Sequence, residues 1–230
     1  MKIKGIVFLF LFTLLVGCGG GGSSEIVSVT VGQPAVKKIC TVGDSNDCRL
    51  TEVVSETQSG YEYLNLGVGG YTTAQMLQKL RSDTSVNGEF GSAWVWGGTN
   101  DLITGVSVDE IKKNLQDIYN ILHYRGITVV ALTVMPFGNW KGDPAFPLWG
   151  PWTPEKQVQL EELNHWIINE AQVDHVVNLS WVADPNNPFI INPRRDRGDG
   201  VHVTDETYRD VGTFVLNKMQ NKPSPTLAMR

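Results

Sequence analysis

Three short strings hold the residues of this chain best suited to chemistry: Gly43-Asp44-Ser45, Gly97-Gly98-Thr99-Asn100-Asp101 and Asp199-Gly200-Val201-His202. Ser45 is a candidate nucleophile, His202 a general base for its hydroxyl, and Asp199 a carboxylate able to orient the imidazole. Asn100 offers a side-chain amide to an oxyanion developing on an attacked carbonyl. Together these are the parts of a site that hydrolyses esters. Singly, each string is weak. Gly-Asp-Ser is a common turn or helix N-cap, Asn-Asp after glycines makes a turn, and Asp-Gly-x-His reads as a loop with a surface histidine. The weight lies in their joint occurrence and order. Gly-Asp-Ser also opens a trypsin-like Gly-Asp-Ser-Gly-Gly, but Asn46-Asp47 follow here and the candidate Asp and His come after the serine, which excludes that order.

The spacing suits the chemistry. A tight turn at the carboxyl end of a strand frees a serine hydroxyl from packing, and Gly43 lets the backbone turn there while the amides of the next helix start face an anion. Residues three apart on an irregular segment can face one another, so Asp199 can reach one imidazole nitrogen of His202 while the other faces the serine.

Elements able to position these strings alternate along the chain. Residues 39–42, 61–66, 93–96, 127–134 and 176–179 are β-branched or aromatic runs bounded by Gly, Pro, Asn or Asp, which predicts five short strands. Thr72-x-x-Gln75 and Ser107-x-x-Glu110 are capping boxes. Val108, Ile111, Leu115, Ile118 and Leu122 recur at helical spacing until Gly126. Pro154 after Thr153 marks another helix, with Val158, Leu163, Trp166 and Ile167 as its buried candidates, and Thr204 caps a last helix reaching about Met219. Such a βαβ alternation implies a parallel sheet between helical layers, with function at the carboxyl ends of the strands. Ser45, Gly70 and Asn100 all follow expected strands, so topology alone brings them to one edge.

The strings resemble blocks I, III and V of the SGNH (GDSL) hydrolase superfamily, and Asn65-Leu66-Gly67-Val68-Gly69-Gly70-Tyr71-Thr72 is similar to its block II. Tyr71 departs from the small polar residue usual there, and Gly67, Gly69 and Gly70 all stand near the position of the oxyanion glycine. The resemblance covers roughly residues 37–220. It implies a three-layer α/β/α sandwich with a five-stranded parallel sheet, flavodoxin-like, and a triad of Ser45, Asp199 and His202. It also implies an oxyanion hole of the Ser45 amide, the Gly70 amide and the Asn100 side chain. A serine esterase acting through an acyl-enzyme is the expectation, with no cofactor or metal. An O-deacetylase of cell-envelope or extracellular polysaccharide is the alternative within the chemistry, and an inactive tethered binding lipoprotein the alternative outside it.

The formal charge is −5, with acidic and basic residues mixed and no basic run beyond Arg194-Arg195, so nucleic-acid binding lacks electrostatic support. Lys2 and Lys4, an apolar run over residues 6–16 and Leu15-Val16-Gly17-Cys18 resemble a bacterial lipoprotein leader, the run being too short to span a membrane. The expected organisation is a signal peptide over residues 1–17, lipidation at Cys18, a tether and extension over 18–36, the hydrolase domain over 37–220 and a frayed tail over 221–230. The partners implied are an ester substrate, small or glycan, and a membrane held through the lipid anchor. Export permits a disulfide between Cys40 and Cys48, which bracket Ser45; two small thiols are the alternative. No His or Cys cluster has zinc-site spacing.

Residues 137–152 form a long loop with Trp140, Phe146, Trp149 and Trp152, either a wall of the substrate pocket or a satellite apolar cluster covering the sheet edge. Trp94 and Trp96 share one strand face and belong to the core. His123, His165 and His175 lack a partner motif and are packed or solvated.

Overall fold

The computed structural model describes residues 37–220, so the expected leader, Cys18, the tether over 18–36 and the tail over 221–230 lie outside the described residues. The first strand, β1 (Lys37–Gly43), runs into α1 (Ser45–Thr57), followed by β2 (Tyr61–Asn65) and α2 (Thr73–Ser82). Next come β3 (Ser92–Trp96), the short α3 (Thr99–Thr104), α4 (Val108–Tyr124) and β4 (Thr128–Leu132). The chain continues through α5 (Pro154–Asn169), β5 (His175–Val177), a small hairpin of β6 (Ala183–Asp184) and β7 (Asn187–Ile191), and α6 (Asp205–Met219). Strands β1 to β5 form one parallel sheet in the order β2-β1-β3-β4-β5.

All five expected strands are present. β4 is shorter than its apolar run because, after the Thr133 amide makes a last bond to Val177 O of β5, the Val134 amide is taken by Asn164 Oδ1 at 2.8 Å. Successive strand residues point to opposite faces, so the sheet feeds two cores. Cys40, Val42, Ala93, Val95, Val129 and Ala131 pack with α2, α4 and α5. Ile39, Trp94, Trp96, Val130 and Leu132 pack with α1 and α6. Right-handed crossovers explain the split, since the step from β1 to β2 runs opposite in the sheet to the steps from β2 through β5. Trp94 and Trp96 are core residues, 0% and 1% exposed.

That alternation decides between the disulfide and the two free thiols that the sequence left open. Cys40 points into the α2/α4/α5 core, whereas Cys48 lies on α1, which packs on the other face; both thiols are free. Residue 41, not 40, faces α1: Thr41 Oγ1 lies 2.6 Å from Thr51 Oγ1.

Helix termini follow their capping residues. Thr72 and Gln75 form a complete capping box, whereas at Ser107 one half forms, the side chain accepting from the Glu110 amide. Thr153 and Thr204 cap α5 and α6. On α5, Gln157, Leu160, Leu163 and Ile167 make the inward face; Val158 is 64% exposed, contrary to expectation, because it lies one helical step off that stripe. Trp166 is half-buried and stacks on Tyr119. The hairpin and α3 were not anticipated. Pro185 and Pro188 argue against a strand locally, yet β7 sits at an edge and accepts the Gly138 amide on Phe189 O at 2.7 Å.

Candidate active site

The turn from β1 to α1 is built around a missing side chain. A Cβ on Gly43 would stand 2.2 Å from Asp47 Cβ and 2.3 Å from Trp96 O, so no other residue fits between β1, β3 and the first turn of α1. Asp44 caps the helix, accepting from the Asn46 amide at 2.9 Å. Ser45 is the first helical residue and half-buried, and its amide, like others at a helix start, has no acceptor within the helix. Under the turn, Asp44 and Asp47 are 1% and 0% exposed. Burial pushes the Asp44 carboxyl up to about 7, and burial with the neighbouring Asp44 charge pushes Asp47 well above the carboxylate range.

Ser45, His202 and Asp199 are hydrogen-bonded in series. Ser45 Oγ lies 2.7 Å from His202 Nε2, and His202 Nδ1 lies 2.7 Å from Asp199 Oδ2. Asp199 also accepts the His202 and Val201 amides on Oδ1 at 2.8 and 2.9 Å. Burial raises its pKa, but the bonds from the imidazole and the two amides outweigh burial and hold it well below the ordinary range. An ionised carboxylate only accepts, so Nδ1 carries the proton and Nε2 is free to take the serine's. The loop bearing both residues braces itself: Asp196 Oδ1 accepts the Gly198 and Gly200 amides, the Arg197 amide bonds to His202 O, and the Thr204 amide to Arg195 O.

Two residues given no role in the sequence analysis tie the serine turn and α1 to this loop and to α6. Asn46 donates to Val201 O at 3.5 Å and accepts from the Tyr208 hydroxyl at 2.7 Å, so the residue beside Ser45 is tied to the residue beside His202 and to α6. Arg49 of α1 makes a two-pronged pair with Asp205 of α6, at 3.0 and 2.7 Å.

Gly70 sits in a tight turn closed by the Tyr71 amide on Val68 O, with φ +78, a conformation that favours glycine. A Cβ on the preceding Gly69 would lie 4.0 Å from Ser45 Cβ, which puts this turn beside Ser45. Asn100 Nδ2 donates to Tyr71 O at 2.9 Å, leaving its second amide hydrogen available. Asp101, buried, accepts the Thr73 amide on both oxygens, at 3.1 and 2.9 Å, and the Thr73 hydroxyl at 2.6 Å, so it braces the start of α2 against α3. Burial raises the Asp101 pKa against those bonds. Asp101 stands in the same string as Asn100, a visible signal; Asn46 adjoins Ser45 but nothing local reveals its partners.

The aromatic loop divides. Trp149 lays its ring edge on Gly70, its Cζ2 and Cη2 3.2 Å from where a Cβ would be, and Trp140 and Phe146 pack against Trp149 with centroids 6.4 and 5.8 Å away. Trp140 lines a cavity of about 460 Å³ with Asn139, Lys141, Asp196 and Asp199. Trp152 instead stacks on Phe189 of the hairpin. Away from the site, His123 pairs with Asp174 and His165 with Glu170. Among the described residues no cluster of three or more His, Cys, Asp or Glu is arranged to hold a metal.

A doubly wound sheet with Ser45 after β1, Asn100 after β3 and, in the loop before α6, an Asp-His pair hydrogen-bonded to that serine defines a class of hydrolases built on this architecture. Within it, the chain belongs to the GDSL-like Lipase/Acylhydrolase family, whose model it matches over residues 28–209. Its fold is similar to that of a GDSL-like lipase from Bacteroides thetaiotaomicron, at TM-score 0.63 and 18% identity, over 83% of this chain and 92% of that one. The psychrotrophic esterase EstA from Pseudoalteromonas sp. gives TM-score 0.59 and 16% identity, over 81% and 100%. An acetyl xylan esterase gives 0.56 and 17%, over 80% and 98%. Among curated proteins, the chain is 28% identical over 148 residues to an N-acylneuraminate cytidylyltransferase of Streptococcus agalactiae, a match spanning 63% of this chain and 31% of the relative's length.

Proposed function

We propose that the chain is a serine esterase that cleaves carboxylic esters through an acyl-enzyme. The observation that carries this reading is the series of two 2.7 Å contacts from Ser45 Oγ through the imidazole of His202 to Asp199. As Ser45 Oγ bonds to the ester carbonyl carbon, its proton passes to His202 Nε2, and the carbonyl electron pair collects on oxygen as an oxyanion. The Ser45 and Gly70 amides and the free hydrogen of Asn100 Nδ2 stabilise that charge. Collapse of the tetrahedral adduct breaks the bond to the alkoxy oxygen, which leaves as an alcohol with the proton from Nε2. Water, deprotonated by the same nitrogen, then releases the acid and restores Ser45. A fluorophosphonate probe tests this: wild type is labelled and hydrolyses p-nitrophenyl esters, and Ser45→Ala does neither while keeping its fold. Labelling that persists in Ser45→Ala removes Ser45 as the nucleophile; no labelling of wild type favours an inactive binding protein.

Deacetylation of a glycan is a second reading, favoured by Trp140, Asn139, Lys141 and Asp196 around the cavity beside Asp199, an aromatic face among polar groups. Acetate release from acetylated oligosaccharides, compared with simple acetyl esters, tests it. In the cell the enzyme is an exported lipoprotein tethered through Cys18. Cys18→Ser then shifts it from the membrane fraction or blocks its processing; unchanged membrane partition with normal processing overturns the tether.

A further inference from the structure

Lys156 stands in the first turn of α5, where a cation faces the unfavourable end of the helix dipole. Its ammonium is held there by three backbone carbonyls: Ile103 O at 2.8 Å, Pro151 O at 2.9 Å and Gly150 O at 3.1 Å. Three donors meet three acceptors, so the group is saturated without a carboxylate. Burial lowers its pKa, as expected for an ammonium withdrawn from water toward neutral partners.

The three carbonyls come from two segments on the oxyanion side, Ile103 from α3 and Gly150 and Pro151 from the aromatic loop. Ile103 lies in the last turn of α3, whose first turn carries Asn100. Gly150 follows Trp149, and its carbonyl also accepts from Trp140 Nε1 at 3.1 Å, so one oxygen collects both the ammonium and an indole. Trp149 in turn rests on Gly70. A continuous line of contact therefore runs from Asn100 through α3 to Lys156, and from Lys156 through Gly150 and Trp149 to Gly70. Among the described residues no hydrogen bond joins this line to the side chains of Ser45, His202 or Asp199.

We propose that Lys156 is a positioning residue for the oxyanion hole, clamping the end of α3 and the aromatic loop so that Trp149 holds Gly70 in register with Asn100. The proposal rests on the serine-esterase reading. A misplaced donor costs stabilisation of the transition state more than ground-state binding, so the loss falls on kcat. Lys156→Met keeps the length and apolar stem but has no donor. Lys156→Arg keeps charge and donors with a planar fork that matches three divergent carbonyls imperfectly.

The test measures kcat and KM on a short-chain p-nitrophenyl ester for wild type, Lys156→Met, Lys156→Arg, Trp149→Ala and the Lys156→Met/Trp149→Ala double variant, with fluorophosphonate labelling and melting temperature alongside. Expected are a fall in kcat of about tenfold or more in Lys156→Met at nearly constant KM, partial recovery in Lys156→Arg, and a double variant no slower than the slower single one, because both act through one line of contact. A kcat of wild-type size in Lys156→Met overturns the proposal, as do losses that multiply in the double variant. A fall confined to KM does so too. Should Lys156→Met fail to fold, Lys156→Gln, with two amide N–H donors and no charge, is read against Lys156→Arg on the same criteria. Wild type that the probe leaves unlabelled sinks the esterase reading instead, so the two failures are distinct.

Discussion

One amide nitrogen serves two purposes at Asn100. Tyr71 O takes one of its hydrogens, which fixes the plane of the side chain, and the other is left directed by that same plane. Asn100→Ala is therefore expected to lower kcat by about a hundredfold to a thousandfold with little change in KM, the usual consequence of losing one oxyanion donor. Steady-state kinetics on a single ester decide it. The buried carboxyls under the turn make a second prediction. A carboxyl whose folded pKa is raised contributes stability that is fully present below its unfolded value, about 3.9, and lost as pH rises through the folded one. For Asp44, pushed up to about 7, that window runs from pH about 4 to about 7. Asp199, shifted the other way, loses its contribution only as pH falls below the ordinary carboxylate range. Melting temperature is expected to decline across the upper window, and Asp44→Asn, which retains an N-cap acceptor, to flatten the decline. Equal slopes in both proteins refute the assignment. Ser45, Asn100, Asp199 and His202 were legible beforehand because each stands in a short string whose residue types are chemically unusual in that order. Tyr208 and Lys156 were not: Tyr208 meets Asn46 across 162 residues and Lys156 meets Ile103 across 53, so no local pattern marks them.

Helices α1 and α6 act as a pair. Ser45 opens the first and His202 precedes the second by three residues, so their mutual packing sets the distance between the serine hydroxyl and the imidazole. They meet closely at Gly212, where a Cβ would stand 2.3 Å from Val54 Cγ1, and near the active-site end at Tyr208 and Arg49. Gly212→Ala is expected to destabilise the fold by about 1 to 3 kcal/mol through overpacking. It should also lower kcat on folded protein at temperatures well below the melt, because it wedges the pair apart. Denaturant titration gives the first number and kinetics the second; an unchanged melt with unchanged kcat would show that the helices part without consequence. Caps and apolar periodicity located α2, α4, α5 and α6 in the sequence. Strand alternation would also have separated Cys40 from Cys48 had the face toward α1 been known, but that face depends on crossover handedness and sheet order, which no single segment encodes. The β6–β7 hairpin was hidden for a related reason, its prolines being tolerated at an edge.

Across the whole molecule, the sheet order puts the reversal of chain direction between β1 and β3, and the crevice there receives Ser45 from one strand and Asn100 from its neighbour. Alternating apolar runs made the layered architecture readable, and the placement of the strings after strands made it readable that Ser45 and Asn100 gather at one sheet edge. The loop over residues 196–204 carries a different consequence. Asp199 and His202 are held to one another, and to their own loop, by bonds spanning a few residues, whereas Ser45 reaches His202 across 157. Only one separation in this hydrogen-bonded series is thus entrusted to the tertiary structure, and it is the least protected against partial loosening. Under rising denaturant, hydrolysis is expected to fade before helical ellipticity does, with activity lost as the serine drifts from an imidazole that its own loop still orients. Coincident curves for activity and ellipticity would mean instead that the two halves of the site yield together, as one cooperative unit.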